Sequence, residues 1–449
     1  MVDSTAMQSG RYQAYPEYKD SGVEWLGEIP NGWIAQKLKF LCTYNDEVLP
    51  ESTPKDKEIV YVDIGSVSAT EGITNKETIT YENSPSRARR IVKDGDVIIS
   101  TVRTYLEAIA PINNPPENMV VSTGFAVIRP KNEFYKGFAS YSLRFKGFIG
   151  EVVSRSVGVS YPAINSSDLV NIEIPTPPFN EQEKIANFLD FETAKIDTLI
   201  EKQQRLIELL TEKRQAVISH AVTKGLNPEV PMKDSGVEWL GEVPAHWEMK
   251  KLKHVTTYND DVLSEKTDAN FKIQYVDISS VSSTNGIQDS SEIVFKDAPS
   301  RARRVVKDGD VIVSTVRTYL RAIAPIVNPP ANLIVSTGFT VIRPKNEMFK
   351  DYVSNFLLSE VFISEVVSRS VGISYPAINS SDLMDIYICK PPHNEQVLIC
   401  EYISSVLQKI DVLISKSSKQ IQLMQERRTA LISAAVTGKI DVREWVQPE

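Results

Sequence analysis

A single offset governs this sequence. "KDSGVEWLGEIPNGW" begins at Lys19 and "KDSGVEWLGEVPAHW" begins at Lys233, and the copies stay aligned at that spacing of 214, without insertion or deletion, from Tyr18 to Val222 and from Met232 to Val436. A period this long is too large for stacked small repeats and implies two whole modules. It also constrains chemistry, because a site carried by the repeat should keep its reactive residues in both copies.

The cysteines and histidines do not meet that condition. Cys42 faces Thr256, Cys389 faces Pro175 and Cys400 faces Ala186, while His220, His246, His254 and His393 face Ala434, Gly32, Phe40 and Phe179. This argues against a duplicated zinc site, disulfide or histidine-based catalytic centre. Asp94 and Asp96 in "KDGDV" offer carboxylates to a metal-dependent nuclease, but nearby Glu107 becomes Arg321, so both aspartates read as turn residues. "NNPPEN" at Asn113 and "NPPAN" at Asn328 approach the Asn-Pro-Pro-aromatic tetrapeptide of adenine methyltransferases; here Glu117 or Ala331 fills the aromatic position, and neither can stack on an extruded base. No Walker loop, GxSxG elbow or zinc helix is present, so no catalytic and no metal residue is assigned.

Apolar residues at 42% and charged residues at 24% are ordinary globular values. No apolar run reaches the roughly 20 residues of a membrane span, and "MVDSTAMQSG" has no signal-peptide core, so the chain reads as cytoplasmic. The net charge of -8 is unlike that of a typical DNA binder, which makes the distribution of charge more informative than its sum.

Similarity between the copies is uneven. They agree at 25 of 28 positions from Pro85 to Ile112 and at 18 of 20 from Glu151 to Val170, but at only 16 of 40 from Glu183 to Val222. The well-matched part holds strand-like runs such as "EIVYVDI" and "DVIIS", broken by Gly, Pro, Asn and Ser, and predicts a strand-rich α/β head. The poorly matched part follows "PTPPFNEQ" or "CKPPHNEQ", with Asn180 or Asn394 placed to cap a helix and Glu183 completing a capping box in the first copy. Shared apolar positions Ile185, Leu189, Ile196, Leu199, Ile207, Leu210 and Val217, with Ile399, Ile403, Ile410, Leu413, Ile421, Met424 and Leu431, approximate heptads and predict two long helices that pair with each other.

The fold class expected is therefore α+β: two similar strand-rich α/β heads separated by two long antiparallel coiled-coil helices in a pseudo-twofold arrangement. The expected domains are a first head over 1–179, a central helix over 180–224, a second head over 225–393, and a distal helix with the C-terminal tail over 394–449.

Each head concentrates basic residues: Arg87, Arg89, Arg90, Lys93 and Arg103 in the first, and Arg301, Arg303, Arg304, Lys307 and Arg317 in the second. "STVRTYL" and "SRSVGVSYP" add Tyr105, Arg155 and Tyr161, repeated as Tyr319, Arg369 and Tyr375. Arginine forks match phosphate oxygens or the guanine edge, and hydroxyls add shorter hydrogen bonds, so these sixteen residues form the candidate DNA-binding set. The bland alternative is a solvated surface whose arginines pair with Asp94 and Asp96. Trp25, Trp33, Trp239 and Trp247 in the repeated opening phrase are expected to pack on their heads.

Taken together, these segments resemble the specificity (S) subunit of type I restriction-modification systems. The resemblance rests on the doubled "SGVEWLGExPxxW", on "GDVIIS" and "GDVIVS", on Pro177, Pro178, Glu181 and Gln182 with Pro391, Pro392, Glu395 and Gln396 before the long helices, and on the ending "AAVTGKIDVRE". It implies that each head is a target-recognition domain reading half of a split double-stranded DNA sequence, while the helices set the separation and dock modification subunits. S-adenosylmethionine, ATP and Mg2+ would then serve partner subunits, the methyltransferase and the restriction translocase and nuclease, and none would bind this non-catalytic chain. The near identity of the heads departs from the family's usual dissimilar pair and suggests half-sites in inverted repeat, with centres about one helical turn, roughly 10 bp, apart. The competing readings are a stand-alone nuclease or methyltransferase, and a coiled-coil scaffold for protein or glycan.

Overall fold

The computed structural model describes residues 12–68, 72–284 and 286–448; the N-terminal decapeptide considered above for a leader lies outside them. Two β-branched runs set the architecture of the first head. Val97–Ser100 is buried on both faces, as expected of a strand covered from two sides. It sits in an antiparallel sheet ordered Ile109–Pro111, Val97–Ser100, Phe125–Pro130, Cys42–Tyr44. A second sheet is ordered Glu77–Thr80, Glu58–Val62, Met119–Ser122, Ala88–Ile91, and its only parallel pairing joins Met119–Ser122 to Glu58–Val62.

Alternation along the strands decides the layers. Ile98, Ala110 and Val127 turn toward Val62 and Val121 of the second sheet, forming one core between the sheets. Val97, Ile99, Ala126 and Ile128 point the other way, onto Phe138 and Phe148 of the short helices Lys136–Ser142 and Lys146–Ser154. The second head repeats this plan strand for strand, with Val311–Ser314 and Phe339–Pro344 in one sheet and Lys272–Val276 and Leu333–Ser336 in the other.

Two long helices follow the heads, Phe179–Lys224 with 46 residues and His393–Val436 with 44. The chain divides into two compact units that cut both helices: residues 1–203 with 419–449, and residues 204–418. In the first unit Ile185, Leu189 and Ile196 share the head's core with Leu431, Ile432 and Val436. In the second, Ile218 and Val222 share it with Ile399 and Ile403. Part of each helix is thus a structural component of a head.

Inside each unit the helix segments run antiparallel. In the first, Lys184 Nζ reaches the Arg443 carbonyl while Asp197 pairs with Arg428 at 3.0 Å, so rising numbers on one segment meet falling numbers on the other. In the second, Arg214 pairs with Asp411. Asp197 and Arg214 become Asp411 and Arg428 on adding 214, so one ion pair occurs once in each unit with the helices exchanged. The expected seam needs one correction. Leu199 and Leu413 are 46% and 48% exposed; the inward positions run Ile196, Ile200, Gln203, Ile207, Leu210 and Arg214, and Ile410, Ile414, Ser417, Ile421, Met424 and Arg428, in strict alternation of four and three.

The helix starts also differ from the capping reading. Asn180 and Asn394 lie inside the first turn, and the Pro178 carbonyl accepts from the backbone N–H groups of Glu181 and Gln182. Gln182 is buried and closes the junction: Oε1 accepts from Tyr135 N–H at 2.8 Å, and Nε2 donates to the Pro177 and Glu133 carbonyls. Gln396 repeats the first bond with Phe349 N–H, also at 2.8 Å. Glu181 accepts the Trp33 indole N–H at 3.0 Å and Glu395 that of Trp247 at 3.1 Å, both rings being buried. Trp25 stacks on Phe145, and Trp239 packs on the second head's core. The opening phrase and the "PPxNEQ" stretch are therefore two halves of one latch.

Replacing Gln182 by Ala strands a backbone donor and two carbonyls and should lower unfolding free energy by about 1–3 kcal/mol, read as a lower denaturant midpoint for the transition of the first unit. An unchanged midpoint would show that the latch contributes nothing.

A buried ion pair supplies a second test. Arg129 sends Nε and Nη2 to Asp96 at 2.9 and 2.8 Å and Nη1 to Glu47 at 2.7 Å; Asp96 is 1% exposed. Arg343 holds Asp310 and Asp261 in the same way. These bonds raise the guanidinium pKa further above its ordinary value. Arg129→Met leaves a buried carboxylate without its partner and should cost about 3–5 kcal/mol, with part of the loss recovered when Asp96→Asn is added. Equal stability of the single variant and the parent would contradict this reading.

Candidate nucleic-acid interface

The strand Val97–Ser100 leaves its sheet into a tight turn at Thr104–Leu106. Both flanking residues adopt left-handed backbone, Arg103 at φ 51° and Glu107 at φ 53°; Arg317 at 52° and Arg321 at 53° repeat this. Non-glycine residues hold such angles at a cost of about 1–3 kcal/mol each and do so most often at functional sites. The turn is fixed from below. Thr104 is buried and hydrogen-bonds Ser156 at 2.7 Å, and Val102 bridges Ala163.

That anchoring brings two separated stretches together. The Arg103 guanidinium lies over the Tyr161 ring at 4.9 Å, and Arg317 lies over Tyr375 at the same distance. Neither arginine has a carboxylate partner among the described residues, and both are exposed, as are Tyr105, Tyr161, Tyr319 and Tyr375. Arg155 stands at the root of the same loop, tied to Glu151 one helical turn away, and Arg369 is tied likewise to Glu365.

The remaining basic residues occupy the strand Ala88–Ile91 and its flanks. Arg87 is held by the Tyr61 hydroxyl and by Asp63 at 2.7 Å, which raise its pKa; Arg301 pairs with Tyr275 and Asp277 in the same manner. Arg89 lies over Tyr81 and Arg303 over Phe295, each at 4.8 Å. Arg90 and Arg304 are half-buried, burial lowers their pKa, and the Nε atom of each has no hydrogen-bond partner among the described residues. Lys93 pairs with Glu47, and Lys307 with Asp261 at 2.7 Å. Glu47 and Asp261 are held below the usual carboxylate range, first by the lysine and then by the arginine that share them.

The two groups of candidates meet at Thr123–Gly124. Thr123 N–H donates to the Arg87 carbonyl, and the Gly124 carbonyl accepts from Thr101 N–H just before the Arg103 turn, both at 2.8 Å. A Cβ on Gly124 would sit 2.5 Å from Ile64 and 3.3 Å from Val102, so glycine permits this contact. The aspartates suggested as partners of the arginine cluster serve other cations: Asp94 takes Lys136 at 2.7 Å, and Asp96 takes Arg129. Arg129 and Arg343, with Glu47 and Asp261, escaped the sequence reading. Exposed aliphatic residues Val157 and Val159 on the same loop as Tyr161 also escaped it.

No group of His, Cys, Asp and Glu suited to a metal ion occurs among the described residues, and no described helix is long and apolar enough to cross a membrane. All three cysteines are free and buried, and burial pushes each thiol up to about 12.

Comparison with known proteins places these features in a family. The chain is 25% identical over 453 residues to the putative type I restriction enzyme MjaX specificity subunit of Methanocaldococcus jannaschii, covering 96% of this chain and 99% of that protein. It is 21% identical to the EcoKI specificity subunit of Escherichia coli, over 93% and 91% of the two chains. Two solved structures share the fold: a chain from a study of assembly and conformational transition of the type I R-M system, with TM-score 0.69, 22% identity and coverage of 92% and 99%; and the HsdS subunit of Thermoanaerobacter tengcongensis, with TM-score 0.50, 23% identity and coverage of 92% and 98%. The model of the type I restriction modification DNA specificity domain matches twice, over residues 30–209 and 244–423, and each match contains one Arg103-type turn and its tyrosine partner. With most of its length accounted for by two such domains, the chain belongs to the type I restriction-modification specificity family, as a DNA-recognition subunit.

Proposed function

We propose that each unit reads one half of a bipartite double-stranded DNA target, that the halves form a near inverted repeat, and that the chain seats modification and restriction subunits that perform the chemistry. The observation that carries this reading is the equivalence of the two candidate surfaces. Arg103 and Arg317 share a left-handed conformation, a tyrosine platform at 4.9 Å and the lack of a carboxylate partner among the described residues. Sixteen candidate contacts fall into eight pairs of identical residues. Equal side chains on equal scaffolds present equal donors to DNA.

Docking of partners is supported by the outer faces of the helices. Leu199 and Leu423 in the first unit, and Leu206, Leu209, Val412 and Leu413 in the second, are exposed aliphatics outside the seam, which suits burial by another protein. S-adenosylmethionine, ATP and Mg2+ belong in this scheme to those partner subunits.

Base-resolution mapping of methylated adenines in the host should return a split sequence whose halves are inverted copies, and two unrelated halves would refute the symmetric reading. On a duplex of that sequence, Arg103→Ala and Arg317→Ala should each weaken binding by similar amounts and lower the slope of log affinity against log salt by about 1. A large loss from one variant and none from the other would show that the surfaces are not equivalent.

A further inference from the structure

The loop bearing Tyr161 ends in a feature that hydrogen-bonding recognition does not explain. Val159 and Ile373 are each 102% exposed, and Val157 and Val371 are each 81% exposed. The tip is rigid. Val157 and Ala163 exchange backbone hydrogen bonds at 2.9 and 3.0 Å, closing a small hairpin. Gly158 turns it at φ 119°, where a Cβ would lie 3.1 Å from the Tyr161 carbonyl oxygen. Ser156 fastens the base to the Val152 carbonyl and to Thr104.

A hairpin that holds a β-branched aliphatic residue fully in water gains nothing from it in the free protein. Both units nevertheless place one there, and the only change between them, valine to isoleucine, keeps the shape and enlarges it. The surroundings indicate what covers the tip. Arg103, unpaired among the described residues, lies on the Tyr161 ring, and Arg155 sits at the loop's root. An apolar point beside an arginine without a carboxylate partner among the described residues suits a polyanion with stackable faces. Proteins that enter the DNA minor groove combine arginine contacts with an apolar wedge that opens a base step and bends the duplex.

We propose that Val159 and Ile373 are such wedges, one per half-site, each inserting at a base step of the target duplex while Arg103 or Arg317 holds the adjacent backbone. The proposal rests on the DNA-recognition reading above and adds a deformation step to it, so that part of the specificity comes from how readily the contacted step unstacks.

The test uses the full chain co-purified with its modification subunit and a duplex carrying the sequence methylated in the host, labelled at both ends for energy transfer. Val159→Ala and Ile373→Ala should each reduce affinity roughly tenfold and reduce bending, while leaving the slope of log affinity against log salt unchanged because no phosphate contact is removed. Val159→Ile should behave as the parent. Arg103→Ala, by contrast, should lower that slope. Unchanged affinity and bending in both alanine variants, with the parent still binding the duplex, would overturn the wedge and leave DNA recognition standing. A parent complex that does not bind the duplex would overturn both. Loss of the modification subunit from the Val159→Ala complex would show that the tip seats a protein and would also overturn the proposal.

Discussion

Each head depends on helix segments drawn from distant parts of the chain. Ile185, Leu189 and Ile196 come from the first long helix and Leu431, Ile432 and Val436 from the second, yet all six lie in one core with Val97, Ile99 and Phe138 of the sheet and short helices. Burying a side chain of this size stabilises by about 1.5–3 kcal/mol, so these contributions are comparable with the net stability of a domain. Neither the first head nor its helical segments can reach a full core alone. The latch of Trp33, Glu181 and Gln182 fixes where the helix leaves the head, and the ion pair between Asp197 and Arg428 fixes the register of the segments beyond it.

The two units close differently at their chain ends. In the second, residues 225–231 connect the first long helix directly to the strand Met232–Asp234. In the first, the corresponding junction is noncovalent: the Tyr18 hydroxyl donates to the Gly438 carbonyl at 2.9 Å, and Asp441 N–H donates to the Gln13 carbonyl at 2.7 Å. Trp445 packs its ring on Phe188 and Phe191, and Arg443 covers Tyr15. Hydrogen bonds and aromatic contacts thus hold this junction in the first unit, where the second has a covalent link.

Much of this was legible in the sequence because it follows from periodicity. The short unbroken β-branched run in "DVIIS" marks a strand covered on both faces, the offset of 214 marks the duplication, and steps of four and three mark the helices. The seam was misplaced at Leu199 because two neighbouring apolar residues, Leu199 and Ile200, both fit an approximate heptad; antiparallel packing selects Ile200 and then admits polar Gln203. Arg129 was missed because its partners are remote in sequence and Glu47 changes to Asp261 between copies, leaving no local pattern. Val159 was missed for the opposite reason: an aliphatic residue reads as interior from sequence, and only the hairpin geometry shows it outside. The meeting of Arg103 with Tyr161 across 58 positions likewise needed the tertiary fold.

The account stands on the equivalence of two reading surfaces built on two copies of one scaffold. Segment exchange tests it directly. A chain in which residues 299–377 are replaced by residues 85–163 keeps every alignment of the repeat and makes the segments bearing the candidate residues identical. Sequencing the adenines methylated in cells that carry this chain in place of the parent should return the parental target. A new second half-site, with the first half-site unchanged, would contradict the equivalence.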